Sequence, residues 1–270
     1  LAVAGADLAS LLALAAKSLV QRVEQGRYSL HELVRQYALG ELAQAGEQAS
    51  VLDHHLAYYT GLADTARDAL YGPEQRAWLA RLELEHDNLR AALEWAFATQ
   101  PVDPTRVAQG LHLVAQVPRF WNNRGHLREG TAWLEQGLAL CSACDAGVRA
   151  DALNLLGWLI NMLGDTPRAQ ELQRQSLALF RARGDERGMA EALDALGDSA
   201  WFQGAYDEAR QYYRECLALR RRLGNPSAVG LALYSLGRLE VDAGSLDDAL
   251  PLLEEALLLL RRIDDRRGVA

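Results

Sequence analysis

DALNLLGWLINMLGDTPRAQELQRQSLALFRARGDERGMA (151–190) runs without a gap into EALDALGDSAWFQGAYDEARQYYRECLALRRRLGNPSAVG (191–230) and then LALYSLGRLEVDAGSLDDALPLLEEALLLLRRIDDRRGVA (231–270). Written one above another, the three forty-residue lines agree in nine columns, headed in the first line by Ala152, Leu153, Leu156, Gly157, Gly164, Ala169, Leu177, Leu179 and Arg181. A fixed period of this size is the signature of stacked supersecondary units, so architecture is set before any single residue is weighed.

Each line reads locally as helix, tight turn, helix. Leu153 and Leu156 with Leu159 and Ile160 recur at helical spacing and form an apolar stripe. The stripe stops at Gly164, Gly204 and Gly244, where a residue lacking Cβ takes the left-handed cap conformation at low cost. A second helix follows, for which Thr166 is the expected N-cap and Pro167 the expected first residue. Glycine inside a helix costs about 1 kcal/mol against alanine, so the column at Gly157 predicts a close crossing with the column at Ala169. One hairpin cannot bury its face alone; stacked copies share a continuous core.

The order and spacing of Leu196-Gly197, Gly204, Tyr206, Ala209 and Tyr213 resemble the tetratricopeptide (TPR) family. The period of forty exceeds the usual thirty-four, the excess lying in LALFRARGDERG and LALRRRLGNPSA as in the longer repeats of large bacterial regulators. The resemblance implies an all-α fold, a TPR-like right-handed helical-hairpin superhelix. A degenerate copy is expected over 105–149: Gly125, Gly130, Leu134, Leu138 and Leu140 match the second helix one residue out of register, and Val114 to Trp121 stand where the first belongs, with Pro118 replacing the central glycine.

Upstream the pattern changes. LASLLALAAKSLV reads as a helix, Val20, Arg22, Val23, Tyr28 and Leu30 around Glu24-Gln25-Gly26 as a short hairpin, and HELVRQYALGELAQAG as a helix with Leu33, Tyr37 and Leu42 on one side. The segments Lys17–Val20, Arg27–Val34 and Arg35–Ala38 resemble the later part of the winged-helix domain of NB-ARC-type (STAND) switch ATPases. In that family a Met-His-Asp triplet touches the ADP phosphate; Leu30-His31-Glu32 matches it with two departures, so the resemblance implies a nucleotide-switch role for His31 in an intact parent protein. Between the two parts, 47–104 reads as two or three helices carrying Trp78, Leu82, Leu89, Leu93 and Trp95, and Glu85–Ala92 recurs in bacterial switch regulators of this type. The expected organisation is a partial winged helix over 1–46, a helical linker over 47–104, the degenerate repeat, and three repeats over 150–270. The mid-domain start at Leu1, and the likeness of closing RRGVA to ERGMA, suggest a fragment of a larger protein.

With 270 residues, half of them hydrophobic, there is material for one extended or two compact domains. A net charge of −8 argues against general nucleic-acid binding. No apolar run reaches membrane-span length, and the alanine-rich opening lacks the basic start of a signal peptide, so a cytoplasmic location without membrane contact is expected. No G-x-x-x-x-G-K-[ST] loop is present, so this chain needs no cofactor, ADP or ATP belonging to the presumed parent. Cys141 and Cys144 form a CxxC with no second pair or nearby histidine, so neither a metal nor a redox role is expected of them; Cys216 reads as a small hydrophobe in a core column, and adjacent His54 and His55 point apart.

In stacked hairpins the first helices line the concave surface. Carrying the TPR family's groove columns over gives Asp151, Asn154, Trp158 and Asn161, then Glu191, Asp194, Asp198 and Trp201, then Leu231, Tyr234, Arg238 and Val241. These vary between copies while the core columns do not. The aromatics offer contact area at low entropic cost, and the acids favour a basic or hydroxyl-rich partner. The lysine and asparagine clamp for peptide C-termini is missing. Asp194 and Asp198 lie one turn apart, but with no nucleophile, base or metal partner they do not make a catalytic pair, and no enzyme activity is expected. The expected function is a non-catalytic arm that binds a protein, peptide or small-molecule effector for an ATPase switch controlling transcription (SARP/LuxR-like), its partners being that effector and the upstream ATPase domain. The alternative is a constitutive TPR adaptor.

Overall fold

A computed structural model describes residues 7–23, 27–98, 102–142 and 144–262. The tip of the expected hairpin, Glu24-Gln25-Gly26, and the closing RRGVA lie outside them. The elements run α1 (Leu8–Ala16), β1 (Val20–Arg22), β2 (Tyr28–Leu30), α2 (Glu32–Gln44), α3 (Gln48–Ala69), α4 (Gln75–Leu84), α5 (His86–Ala96), α6 (Pro104–Gln116), α7 (Pro118–Asn123) and α8 (Leu127–Leu140). The three repeats follow as α9 (Ala146–Met162) and α10 (Thr166–Arg183), α11 (Glu186–Phe202) and α12 (Tyr206–Leu223), α13 (Pro226–Asp242) and α14 (Leu246–Arg262). Among the described residues the chain is all-α apart from one antiparallel pair, β1–β2, with Val20 opposite Leu30.

The repeat helices keep their forty-residue phase, each hairpin packing on the next to build a superhelix. Gly164, Gly204 and Gly244 sit at φ 93°, 73° and 80°, the left-handed region that the sequence pattern anticipates. The close crossing is also present: a Cβ on Gly157 would lie 2.9 Å from the Ala169 carbonyl oxygen and 2.8 Å from Gln173 Cγ. Sixteen residues on from each column glycine, Gln173, Tyr213 and Leu253 occupy the space that a Cβ at Gly157, Gly197 or Gly237 would take. The arginine column has a use that the pattern alone did not give. Arg181 reaches Glu215 and Arg221 reaches Glu255, both at 2.9 Å, so each repeat is tied to the second helix of its successor. These pairs are half exposed and contribute about 0–1 kcal/mol each, serving register more than stability.

Two expectations are corrected. The N-cap of α10 is Asp165, whose side chain accepts from the Arg168 amide at 3.3 Å; Thr166 and Pro167 are the first two helical residues. The first helices have a capping column of their own: Asp145, Asp185 and Asn225, forty residues apart, cap α9, α11 and α13. Cys141 and Cys144, of which the sequence predicts no redox role, are joined as a disulfide, the three-residue spacing past the end of α8 bringing their Cα atoms to 5.0 Å. Cys216 is fully buried, as expected of a core column.

Pro118 splits the helix where a repeat's first helix would run, giving α6 and the short α7. Trp121 then packs over Gly130 of α8, and Gly125 turns the chain at φ 80°. The linker region is three helices, with Leu82, Leu89 and Leu93 fully buried and Trp78 and Trp95 packed at the edge of the same core. That core is continuous from Leu56 to Ala169. The hairpin is docked through Arg27, which pairs with Glu85 and donates to the Leu84 carbonyl at 2.9 Å; Tyr59 and Asn88 hold the other Glu85 oxygen at 2.8 and 2.7 Å. By contrast α1 and α2 bury no residue fully, leaving Leu12, Leu33 and Tyr37 exposed.

Candidate functional site

A groove of about 600 Å³ runs along the inner face of the stacked first helices. Its walls come from the end of α3 and the turn after it, from α6 and the start of α7, from α9, and from α11 as far as Asp198. Asp151, Asn154, Trp158, Glu191, Asp194 and Asp198 all line it, as their columns predict. Sequence reading missed Arg67, Tyr71, His112, Gln116 and Arg187, which face the same space. The signal was weak: His112 lies off the apolar stripe Leu111–Val114 of α6, but α6 carries no clean repeat register.

The electrostatics are unbalanced. Asp151, Asp185, Glu191, Asp194 and Asp198 line the groove against Arg67 and Arg187. Its place inside the groove, then the proximity of Glu191 and Asp185, pushes the Asp151 carboxyl up to about 6, although the residue is exposed and solvent moderates the effect. It has no hydrogen bond or ion pair to another described residue. Burial first and Asp194 second likewise push Asp198 up to about 6, although it accepts from the Tyr213 hydroxyl at 2.6 Å and stands 4.0 Å from Arg238. Asp194 is the partnered member of the set: Arg220, almost entirely buried, donates to its Oδ2 at 2.9 Å and to the Ala228 carbonyl at 3.4 Å. Its other oxygen, and Oδ1 of Asn154, are enclosed without a donor among the described residues.

Trp158 is half buried, packed on the core by one side while lining the groove by the other. Trp201 also packs on a core cluster; its indole N–H donates to Asp242 at 2.8 Å and the Arg238 guanidinium lies 4.1 Å above its ring. Tyr234 is 5.7 Å from the same guanidinium and is exposed, as are Leu231 and Val241. Trp201, Tyr234 and Arg238 thus form a second patch, joined to the groove through Asp198. Asn161 stands apart: at 8% exposure it is buried, and it is not part of the groove lining. His31 N-caps α2, its Nδ1 accepting from the Leu33 amide at 3.3 Å, with the side chain exposed.

Over the repeats, residues 148–222 and 188–262 match the model of the tetratricopeptide repeat family. Relatives in Mycobacterium bovis and Mycobacterium tuberculosis, each named "Putative HTH-type transcriptional regulator", are 36% identical over 168 residues. The match takes in 59% of this chain and 18% of the length of those relatives. Among solved structures, the aspartyl phosphate phosphatase F of Bacillus subtilis superposes with a TM-score of 0.63 at 12% identity, over 95% of this chain and 61% of that one. A Signal Transduction ATPase with Numerous Domains (STAND) protein with a tetratricopeptide repeat sensor, from Pyrococcus horikoshii, superposes with a TM-score of 0.54 at 14% identity, over 99% and 42%. At such identities the superpositions establish shared fold alone. No described helix is long and apolar enough to cross a membrane.

Proposed function

We propose that the chain is the receiving arm of a STAND-type ATPase switch controlling transcription, and that its groove takes a basic peptide or protein segment. The observation carrying this reading is the state of the groove acids. Asp151, Asp185, Glu191, Asp194 and Asp198 crowd one groove against Arg67 and Arg187, and burial with the neighbouring acids pushes the Asp151 and Asp198 carboxyls up. A ligand cation entering between them relieves that cost on binding, while Trp158 supplies a flat apolar wall beside it. The exposed apolar residues of the first segment, Leu12, Leu33 and Tyr37, suit a face covered by a neighbouring ATPase domain of the parent, and 1–46 then is the remnant of a winged helix. The relatives' name supports the transcriptional setting, and the STAND protein with its repeat sensor supports the switch.

Calorimetric titration of arginine-rich against glutamate-rich peptides tests the groove. We expect saturable binding of the basic set only, lost in Trp158→Ala with helical content unchanged. Equal binding of both sets, or binding unaffected by the substitution, refutes the proposal. Coupling requires that the ligand bind the active state better than the resting one. In the full-length protein His31→Ala is therefore expected to raise basal output; unchanged nucleotide occupancy and output would favour a constitutive adaptor.

A further inference from the structure

Away from the groove, two short motifs face each other across the junction between the linker helices and the degenerate repeat. Glu83-x-x-His86 spans the elbow from α4 to α5, and His126-x-x-Glu129 opens α8. The pairing is reciprocal: His126 Nε2 lies 3.3 Å from both oxygens of Glu83, and His86 Nε2 lies 3.2 Å from Glu129 Oε1. The two imidazole centroids are only 4.1 Å apart. One ligand atom from each of Glu83, His86 and His126 falls within 4.8 Å of the others.

We propose that Glu83, His86 and His126 bind one zinc ion, with a solvent molecule in the fourth position and Glu129 orienting His86. The donor chemistry fits, since two imidazoles and one carboxylate with an open position form a recurrent zinc set. So does the spacing: two ligands at about 2.0–2.1 Å from a tetrahedral ion sit about 3.3 Å apart, the separation already seen between His126 and Glu83.

The surroundings suit a built site. His86 is buried, its ring held edge-on by Phe120 at 5.2 Å and Trp121 at 6.2 Å, while Glu83 on the opposite side is exposed and leaves an entry path. Arg90 grips both oxygens of Glu129, at 2.7 and 2.8 Å, and so fixes the carboxylate that orients His86, the arrangement by which outer groups hold metal-binding histidines in place. Arg124 approaches Glu83 no nearer than 3.9 Å and is easily displaced by an ion. A metal here cross-links the α4–α5 elbow to the turn before α8, tying the linker to the first helical hairpin. Mixed nitrogen and oxygen donors without thiolate disfavour copper(I) and calcium.

The test is titration of the chelator-treated full chain with zinc by calorimetry, with cobalt(II) as a spectroscopic probe of coordination geometry. One ion per chain, a cobalt spectrum of tetrahedral type and a zinc-dependent rise in melting temperature are expected. Because His86 is buried, the deciding variants are His126→Ala and Glu83→Gln at the accessible side, each expected to weaken binding by roughly tenfold or more while keeping the helical circular dichroism. Absence of saturable binding overturns the proposal. Binding of equal strength in both variants overturns it too, since the ion then sits elsewhere.

Discussion

Asp198→Asn removes the charge of a groove acid and keeps its shape and its bond from Tyr213. In the folded chain burial and Asp194 raise this carboxyl from an ordinary 3.8 to about 6. The native state then holds the proton more tightly than the unfolded one, so stability falls as pH rises from about 4 to about 6, and above that the deficit is complete. At about 1.4 kcal/mol per pH unit the rise corresponds to a ceiling of about 3 kcal/mol. The side chain is 34% exposed, and solvent screening brings the expected gain for the asparagine variant near 1 kcal/mol. Thermal denaturation should therefore show the variant melting about 2–4 °C above the parent at pH 7.5, with the difference vanishing below about pH 4. An equal gain at both pH values would mean that ionisation is not the cause. A loss at pH 7.5 would mean that Asp198 is satisfied in the folded chain, removing the main support for a cation-seeking groove.

Other perturbations follow from the packing. Gly157→Ala sets a Cβ against the backbone oxygen of Ala169, which cannot yield, whereas Gly237→Ala meets side-chain carbons of Leu253 and Leu252. Denaturant melts should show the first losing about 1–3 kcal/mol and the second clearly less; equal losses would refute the close-crossing account. Arg220→Met strands Asp194 beside Asp198 and is expected to cost about 2–3 kcal/mol at neutral pH, much of it recovered by adding Asp194→Asn. No recovery in the double variant would show that Arg220 acts through packing alone.

The repeat region was legible because its constraints recur. A glycine that must turn at positive φ, or let Gln173, Tyr213 or Leu253 approach, returns every forty residues, and so do the leucines that fill the core. The helix start was misread by one residue because Asp165 and Thr166 are both good caps, and only geometry shows which side chain reaches the Arg168 amide. The disulfide escaped because spacing alone does not close a CxxC.

The groove was half legible. Asp151, Asn154 and Trp158 could be placed from their columns, but Asn161, two turns beyond Asn154 on the same edge of α9, is buried. Arg67, Tyr71 and His112 come from segments outside the repeat register, so no column pointed to them. The Glu83, His86, Glu129 and His126 cluster was out of reach for the same reason, its two halves lying forty-three residues apart in segments without a shared pattern.

Amide hydrogen exchange of the intact chain, with and without a saturating arginine-rich peptide, tests the central claim most directly. Slowed exchange concentrated on α6, α9 and α11, the helices that wall the groove, is expected. Protection confined to the outer helices α10, α12 and α14, or to residues 7–46, would contradict it.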